Sequence, residues 1–384
     1  MKFEFMTASR IIVERNGLNQ IGKLTKSFGQ RVLVVGRLAS EDTSKAIQLM
    51  REAGCEVTPV NVKGEPSVES INEILAVSRE NNCEVVVAIG GGSVLDSGKT
   101  IAALMTNTND LMDYLEVIGN GVPVSKKSLP FIAVPTTSGT GAEATKNATI
   151  LSAAHKVKVS IRSPYMLPDV VLLDPMLTVS VPKDVTASTG LDALTQVLEP
   201  YVSKMANPIT DAFAKEGLAR AARSLKVAYD HGEDIDARED MAIVSLFGGI
   251  ALANAKLGAV HGFAGVLGGM FPIPHGVVCA RLLPFVTRKN IEVLNLRDPD
   301  NPAVKRYEDV AKILTENPYA GALDGVAWLE DLCKHLDVAP LSHFGVTEGH
   351  FDEIIKKSMN ASSMKGNPID LTFDELKDIL QQAL

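Results

Sequence analysis

The chain has 384 residues, with 38 Lys and Arg against 46 Asp and Glu and a net charge of −8. Its 46% hydrophobic and 22% charged residues are enough to bury a core in two ordinary domains or one large one, and exclude a mostly disordered chain. The acidic balance, the lack of any long basic run and the 5% aromatic content argue against a nucleic-acid partner, which needs clustered cations and stacking rings.

Cys55, Cys83, Cys279 and Cys333 are scattered with no CxxC pair, so they form neither a zinc knuckle nor a disulfide framework and fit a reducing compartment. The opening MKFEFMTASRIIVERNG lacks the apolar core of a signal peptide. Leu257–Ala280 contains no Asp, Glu, Lys or Arg and is long enough to span a bilayer. Its six glycines, Pro272, Pro274, His261 and His275 point instead to a buried, broken helical segment. The expectation is a soluble cytoplasmic protein with no membrane partner.

Along the chain, RVLVVG (Arg31–Gly36) reads as a buried strand, followed by the helical SEDTSKAIQLMREAG. EVTPVNV, the helical SVESINEILAVSRENN, EVVVAIG (Glu84–Gly90) and, after a further helix and loop, LPFIAVPTT (Leu129–Thr137) continue the alternation. Strands separated by helices of this length predict parallel βαβ units covered on both faces. After about Pro182 the β-branched runs stop. KDVTASTGLDALTQVLEPYVS, NPITDAFAKEGLARAARSLKVAYDHG and REDMAIVSLFGGIALANAKLG all repeat at helical period. So do VTEGHFDEIIKKSMN and TFDELKDILQQAL, each opening on a Thr suited to capping. The expected organisation is a Rossmann-like α/β domain over residues 1–182 and an all-α domain over 183–384, without internal repeats.

Directly after EVVVAI comes GGGSVLDSGKT (Gly90–Thr100). Three glycines where a strand meets a helix let bare backbone N–H groups approach an anion at the helix N-terminus, so the segment is read as a phosphate loop rather than a plain tight turn. Its Gly98-Lys99-Thr100 ending resembles a P-loop, but counting from Gly92 leaves five intervening residues where that motif needs four. Gly98 and Lys99 are therefore expected inside the helix, which makes a kinase or ATPase the weaker reading. A second loop, VPTTSGTGAEATKNATI, follows the strand FIAVP and includes a GxGxxA run at Gly139–Ala144. The hydroxyls of Thr136, Thr137, Ser138 and Thr140 suit phosphate or ribose oxygens, or helix capping. Two such loops at the carboxyl ends of parallel strands mark the nucleotide-binding edge of a doubly wound sheet.

In the helical half, Asp192 and Gln196 lie four residues apart and share a helix face. VHGFAGVLGGMFPIPHG places His261 and His275 in almost wholly apolar surroundings. A single buried His is usually a hydrogen-bonded core residue; two, with a carboxylate on another apolar helix, make a metal centre an equal alternative. His155, His231, His335, His343 and His350 sit in polar segments and are expected at the surface.

GGGSVLDSGK, PTTSGTGAEAT, DPMLTVSVP, TGLDALTQVLEPYVS and VHGFAGVLGGMFPIPHG, in this order and over nearly the whole chain, resemble the iron-dependent (group III) alcohol dehydrogenases. The resemblance implies a dehydroquinate synthase-like architecture, with a dinucleotide domain, a helical metal domain and hydride transfer in a cleft between them. It assigns the pyrophosphate to Gly91, Gly92 and Ser93 with Asp96 nearby, and further cofactor contacts to Thr136, Thr137 and Thr140. Lys158 matches a ribose-contacting lysine, and Thr178 falls near the adenosine side. The family's metal is held by an Asp, a His four residues later and two distal His; Asp192, His261 and His275 match, whereas position 196 is Gln. A further family His, four residues after the first distal one, is here Gly265.

A Gln carbonyl is a weaker ligand than imidazole, but Asp192, His261 and His275 still form a two-His, one-carboxylate set suited to Fe(II). The expected catalytic residues are these three. The expected cofactors are NAD or NADP and a divalent metal, Fe(II) first and Zn(II) second, with Gln196 ligating it or holding a metal-bound water. NAD-preferring relatives carry an Asp after the strand matching RVLVVG; here Gly36-Arg37 stands there, and Arg37 suits a 2′-phosphate. The resulting expectation is a homodimeric NAD(P)-dependent oxidoreductase acting on an alcohol/aldehyde or ketone pair. The competing readings are a metal-independent reductase of the maleylacetate reductase type, a dehydroquinate synthase-like lyase and a decayed nucleotide-binding protein.

Overall fold

The computed structural model describes residues 2–155 and 157–384. It divides into two compact units. One spans Met6–Thr137 and Gly141–Val179; the other comprises Ser180–Leu384 together with Ser138–Thr140 and the N-terminal residues up to Phe5.

The first unit is built on a six-stranded parallel sheet. Its strands are β1 (Arg10–Val13), β2 (Arg31–Gly36), β3 (Glu56–Asn61), β4 (Val85–Gly90), β5 (Phe131–Pro135) and, after an antiparallel hairpin of β6 (Asn147–Ser152) and β7 (Val157–Arg162), β8 (Val170–Leu173). Their spatial order is β1-β8-β5-β4-β2-β3. Helices α1 (Ile21–Lys26), α2 (Glu41–Glu52), α3 (Val68–Glu80), α4 (Gly92–Leu104) and the single turn α5 (Leu111–Tyr114) connect them. The continuous apolar runs of β2 and β4 follow from burial on both faces. Val32, Val34, Val85, Val87 and Ile89 pack with Ala46 and Met50 of α2, while Leu33, Val35, Val86 and Ala88 pack on the opposite face with Ile71 of α3 and Ile101 of α4. The chain runs outward from β2 to β3, then returns past β2 to β4 and continues to β5. The strand order therefore reverses between β2 and β4, where Gly36 stands in register with Ile89. The crevice at that reversal is where doubly wound sheets take nucleotides.

The second unit is helical: α6 (Lys183–Val202), α7 (Pro208–Asp230), α8 (Ile235–Ala255), α9 (Ala259–Met270), α10 (His275–Arg297), α11 (Pro302–Thr315), α12 (Ala322–His335), α13 (Phe351–Met359) and α14 (Phe373–Ala383). Helix α6 is buried on nearly every side from Gly190 to Val202, as expected of a central helix. The α/β-then-helical architecture read from the sequence is the one observed. The charge-free segment Leu257–Ala280 is a broken one: α9 ends at Met270, Pro272 and Pro274 interrupt the helical hydrogen bonding, and α10 begins at His275. Among the described residues, no single helix is long and apolar enough to cross a membrane. Thr372 caps α14 with a reciprocal Glu375 contact, whereas Thr347 precedes a 3-10 turn that leads into α13.

Candidate active site

Two groups of sequence-derived candidates are brought together, one in each unit. In the α/β unit, Gly91 is the N-cap of α4, and a helix opening on glycine presents its first-turn amides with no capping side chain over them. The next strand contributes its own turn: Thr136 N donates to Gly90 O at 3.1 Å. A Cβ on Gly91 would lie 3.1 Å from Thr137 Oγ1, so glycine there permits the close approach of the two loops. Gly91, Gly92, Ser93, Thr136 and Thr137 thus form one edge at the carboxyl ends of β4 and β5, which fits a dinucleotide pyrophosphate. Gly98 and Lys99 lie inside α4, where a Cβ on Gly98 would stand 2.6 Å from that of Ala88.

The other cofactor candidates have internal partners. The Asp96 carboxylate accepts from Thr149 N at 2.9 Å and pairs with the fully buried Lys99 at 3.0 Å. Lys99 also donates to Thr145 Oγ1 and to the Asn147 carbonyl, so this pair ties α4 to the β6–β7 hairpin. Lys158, on β7, donates to Glu65 at 2.7 Å. Thr178 is buried and donates to the Pro175 carbonyl at 2.8 Å. Thr140 belongs with the helical unit.

In that unit, α6 carries Asp192, Gln196 and Glu199 along a helix with almost no exposed surface. Buried polar groups at these depths require partners. Asp192 Oδ1 lies 3.2 Å from His261 Nε2 and 3.9 Å from His275 Nε2. The Gln196 amide donates to Gly139 O at 2.9 Å, and that carbonyl partner fixes its nitrogen toward the Ser138–Thr140 segment. Glu199 uses both oxygens: Oε1 accepts from Val260 N at 2.8 Å and Oε2 meets His261 Nδ1 at 2.7 Å. The start of α9 is thereby capped from afar, with Asn367 Oδ1 accepting Ala259 N in place of a local side-chain cap. Gly258 is required for this arrangement, since a Cβ there would fall 2.7 Å from Glu199 Oε1. Gly265 stands one turn beyond His261, and a Cβ at that position would meet nothing within 4 Å.

Two residues outside the sequence-derived set complete the centre. Cys279 Sγ lies 3.7 Å from His261 Nε2, and Asp192, His261, His275 and Cys279 each bring a donor atom within 4.8 Å of the others. The signal for Cys279 was its position four residues after His275, hence one turn along the same face of α10. The signal for Glu199 was a second carboxylate seven residues after Asp192 in an apolar helix.

Burial alone would raise the Asp192 carboxyl, but the His261 hydrogen bond and the positive character of His275 and His261 outweigh it, leaving Asp192 below the usual carboxylate range. Burial opposes charge on His261 too; Cys279, Asp192 and Glu199 around it override that and hold it well above the usual imidazole range. Burial, with the nearby Asp192 and Glu199 charges, pushes the Cys279 thiol up to about 12. A carboxylate, two imidazoles and a thiol whose donor atoms all lie within 4.8 Å of one another fit a divalent cation. A carboxylate on the far ring nitrogen, as Glu199 is on His261 Nδ1, is the kind of partner that orients an imidazole for a metal.

A doubly wound sheet joined to a helical unit with a partly buried acid–imidazole cluster is the arrangement of a dinucleotide-dependent metalloenzyme. Residues 8–175 match the model of the iron-containing alcohol dehydrogenases, and residues 186–384 match the C-terminal model of that family. The chain is 34% identical to 1,3-propanediol dehydrogenase of Klebsiella pneumoniae over 99% of its own length and 98% of that protein. It is 42% identical to long-chain-alcohol dehydrogenase 1 of Geobacillus thermodenitrificans, covering 97% of this chain and 91% of the relative. A crystal structure of a 1,3-propanediol oxidoreductase superposes with a TM-score of 0.93 at 32% identity, covering 100% of both chains. The chain belongs to the iron-containing alcohol dehydrogenase family. It is an NAD-linked oxidoreductase of the alcohol dehydrogenase class.

Proposed function

We propose that the domain spanning residues 1–182 binds the dinucleotide through Gly91, Gly92, Ser93, Thr136 and Thr137, and that residues 183–384 hold a divalent cation through Asp192, His261 and His275. The observation that carries this reading is the Asp192–His261–His275 cluster, in which Asp192 and His261 are buried and the far nitrogen of His261 is bonded to Glu199. When bound, the cation would supply Lewis-acid polarisation of the substrate oxygen and the nicotinamide would supply the hydride donor or acceptor.

The chain's own groups set the conditions for that chemistry. Glu199 accepts from His261 Nδ1 and so sets Nε2, on the Asp192 side of the ring, as the atom that would ligate the cation. Asp192, held ionised, supplies the negative charge, and the 40% exposure of the His275 side chain leaves that side of the cluster open to an incoming oxygen. Gly91 and Gly92 bring bare backbone to the pyrophosphate, and the Thr136 and Thr137 hydroxyls add polar contacts. Asp96 supports this edge through Lys99 and the hairpin, while Lys158 reaches a ribose only by leaving Glu65. Thr140 and Thr178 are assigned to the cofactor on the family likeness alone.

Arg37 is exposed at the carboxyl end of β2, next to the strand-order reversal, and favours acceptance of a 2′-phosphate and thus of NADP. All four cysteines are free and buried, which supports a reducing, cytoplasmic setting. The homodimer is assigned on the family likeness.

The test is elemental analysis of chelator-free protein reconstituted with Fe(II) or Zn(II), alongside net NAD(P)H consumption on an alcohol and aldehyde series. About one metal per chain, lost in His261→Ala, is the expected result. Full turnover with no retained metal would instead establish a metal-independent reductase, and cofactor use without net NAD(P)H consumption would establish a lyase.

A further inference from the structure

The family's metal set contains a His at the position of Gln196, and the Gln196 amide here is bonded to the Gly139 carbonyl. The group on the Nε2 side of His261 that the family pattern does not supply is the thiol of Cys279. It is fully buried, it lies on α10 one turn beyond His275, and its Sγ stands 3.7 Å from His261 Nε2. We infer that Cys279 is the fourth protein donor of the metal centre, giving an Asp–His–His–Cys site in which Gln196 serves to hold the Ser138–Thr140 segment. This rests on the metal reading above and makes it specific.

The argument is one of distances and donor chemistry. A tetrahedral ion with bonds of about 2.0–2.2 Å to N and O and about 2.3 Å to S keeps its donors roughly 3.3–3.7 Å apart. The separations here are 3.2 Å for His261 to Asp192, 3.7 Å for His261 to Cys279 and 3.9 Å for His275 to Asp192. The four side chains come from three helices, α6, α9 and α10, and their donor atoms converge on one point although two of them, Asp192 and Cys279, are almost inaccessible to solvent. Coordination breaks the S–H bond and forms a sulfur–metal bond; the proton leaves to solvent and the metal gives up a water. A thiolate is softer than the imidazole it replaces, so this site discriminates for Zn(II) over Fe(II) more strongly than an Asp–His–His–His site.

The experiment is Co(II) substitution of the whole chain, read by absorption spectroscopy, with stoichiometry from elemental analysis. The expected spectrum shows a near-ultraviolet sulfur-to-cobalt charge-transfer band together with visible ligand-field bands at about one cobalt per chain. Cys279→Ser and Cys279→Ala should lose the charge-transfer band, retain ligand-field absorption, and lower the Zn(II)-to-Fe(II) affinity ratio by at least about tenfold. Bound cobalt with no charge-transfer band in the unsubstituted protein overturns the Cys279 assignment while leaving Asp192, His261 and His275 as the ligands. No bound cobalt at all overturns both. Because the decisive spectrum is that of the unsubstituted protein, an unstable variant does not obscure the result.

Discussion

Replacing Glu199 with Gln changes one atom, and the structure fixes what that change does. The two carboxylate oxygens serve two donors: Val260 N at 2.8 Å and His261 Nδ1 at 2.7 Å. A Gln side chain has one acceptor oxygen and one NH2 donor, so it cannot accept from both. If its oxygen stays with Val260 N, its NH2 group faces His261 and forces the proton from Nδ1 to Nε2, which then no longer offers a lone pair to a bound cation. If its oxygen stays with His261, the buried Val260 amide confronts a second donor at a cost of about 1–3 kcal/mol. The first arrangement costs metal affinity and the second costs stability. Outer-shell substitutions of this kind typically weaken metal binding by about 10–100-fold, or about 1.4–2.7 kcal/mol. Glu199→Gln is therefore expected to weaken Zn(II) binding by at least tenfold in chelator competition, or else to lower the unfolding free energy by at least about 1 kcal/mol. Glu199→Asp, which keeps both acceptors on a shorter stem, should recover part of either loss. Wild-type metal affinity combined with wild-type stability in Glu199→Gln would refute the reasoning.

Three further outcomes are expected. Arg37→Asp should raise the Michaelis constant for NADPH at least about tenfold and lower that for NADH, since a carboxylate there repels a 2′-phosphate and accepts from a free ribose hydroxyl; an unchanged ratio would remove Arg37 from cofactor selection. Lys256 leaves α8 at φ 57° and ψ 174°, a conformation that only glycine adopts freely, and it is exposed. Lys256→Gly should accordingly stabilise the protein by about 1 kcal/mol in urea unfolding, and a loss of stability would show that the backbone there is unstrained. Asp240 accepts from Arg220, Arg223 and Ser224; burial opposes its charge, but the Arg223 and Ser224 hydrogen bonds and the two arginine charges prevail and lower its carboxyl. Its stabilisation is present above the unfolded carboxyl value of about 3.9 and is lost as pH falls through the lower folded value. With Arg223 half exposed, Asp240→Asn should cost about 1–2 kcal/mol at pH 7 and progressively less below pH 4, and a pH-independent difference would show that the charge is not what matters.

What could be read from the sequence divides along a physical line. The sheet was legible because strands buried on both faces must be continuously apolar, as RVLVVG and VVVAIG are, and because helices long enough to cross over must lie between them. The four-residue β1 and β8 are too short to stand out, and the β6–β7 hairpin was hidden in a segment that reads as a polar loop. The end of the β-branched runs near Pro182 was equally visible, and α6 begins at Lys183. The metal cluster was legible only in part. Asp192, His261 and His275 drew attention because ionisable groups in apolar surroundings are costly and need a reason to be there. For Cys279 the only sequence signal is its spacing from His275: a thiol is at home in a core, and the fold shows that its sulfur points to His261 rather than to hydrocarbon. Glu199 is hard to read from sequence for a related reason. A glutamate before a proline near a helix end looks like a surface residue until α9 is seen to begin against it, with Gly258 leaving room for the carboxylate and Val260 and His261 each donating to one oxygen. Linear spacing marks groups that sit on one helix face, but it cannot show where a second helix begins. In this centre the start of α9 at Ala259 and of α10 at His275 determine which atoms meet Asp192.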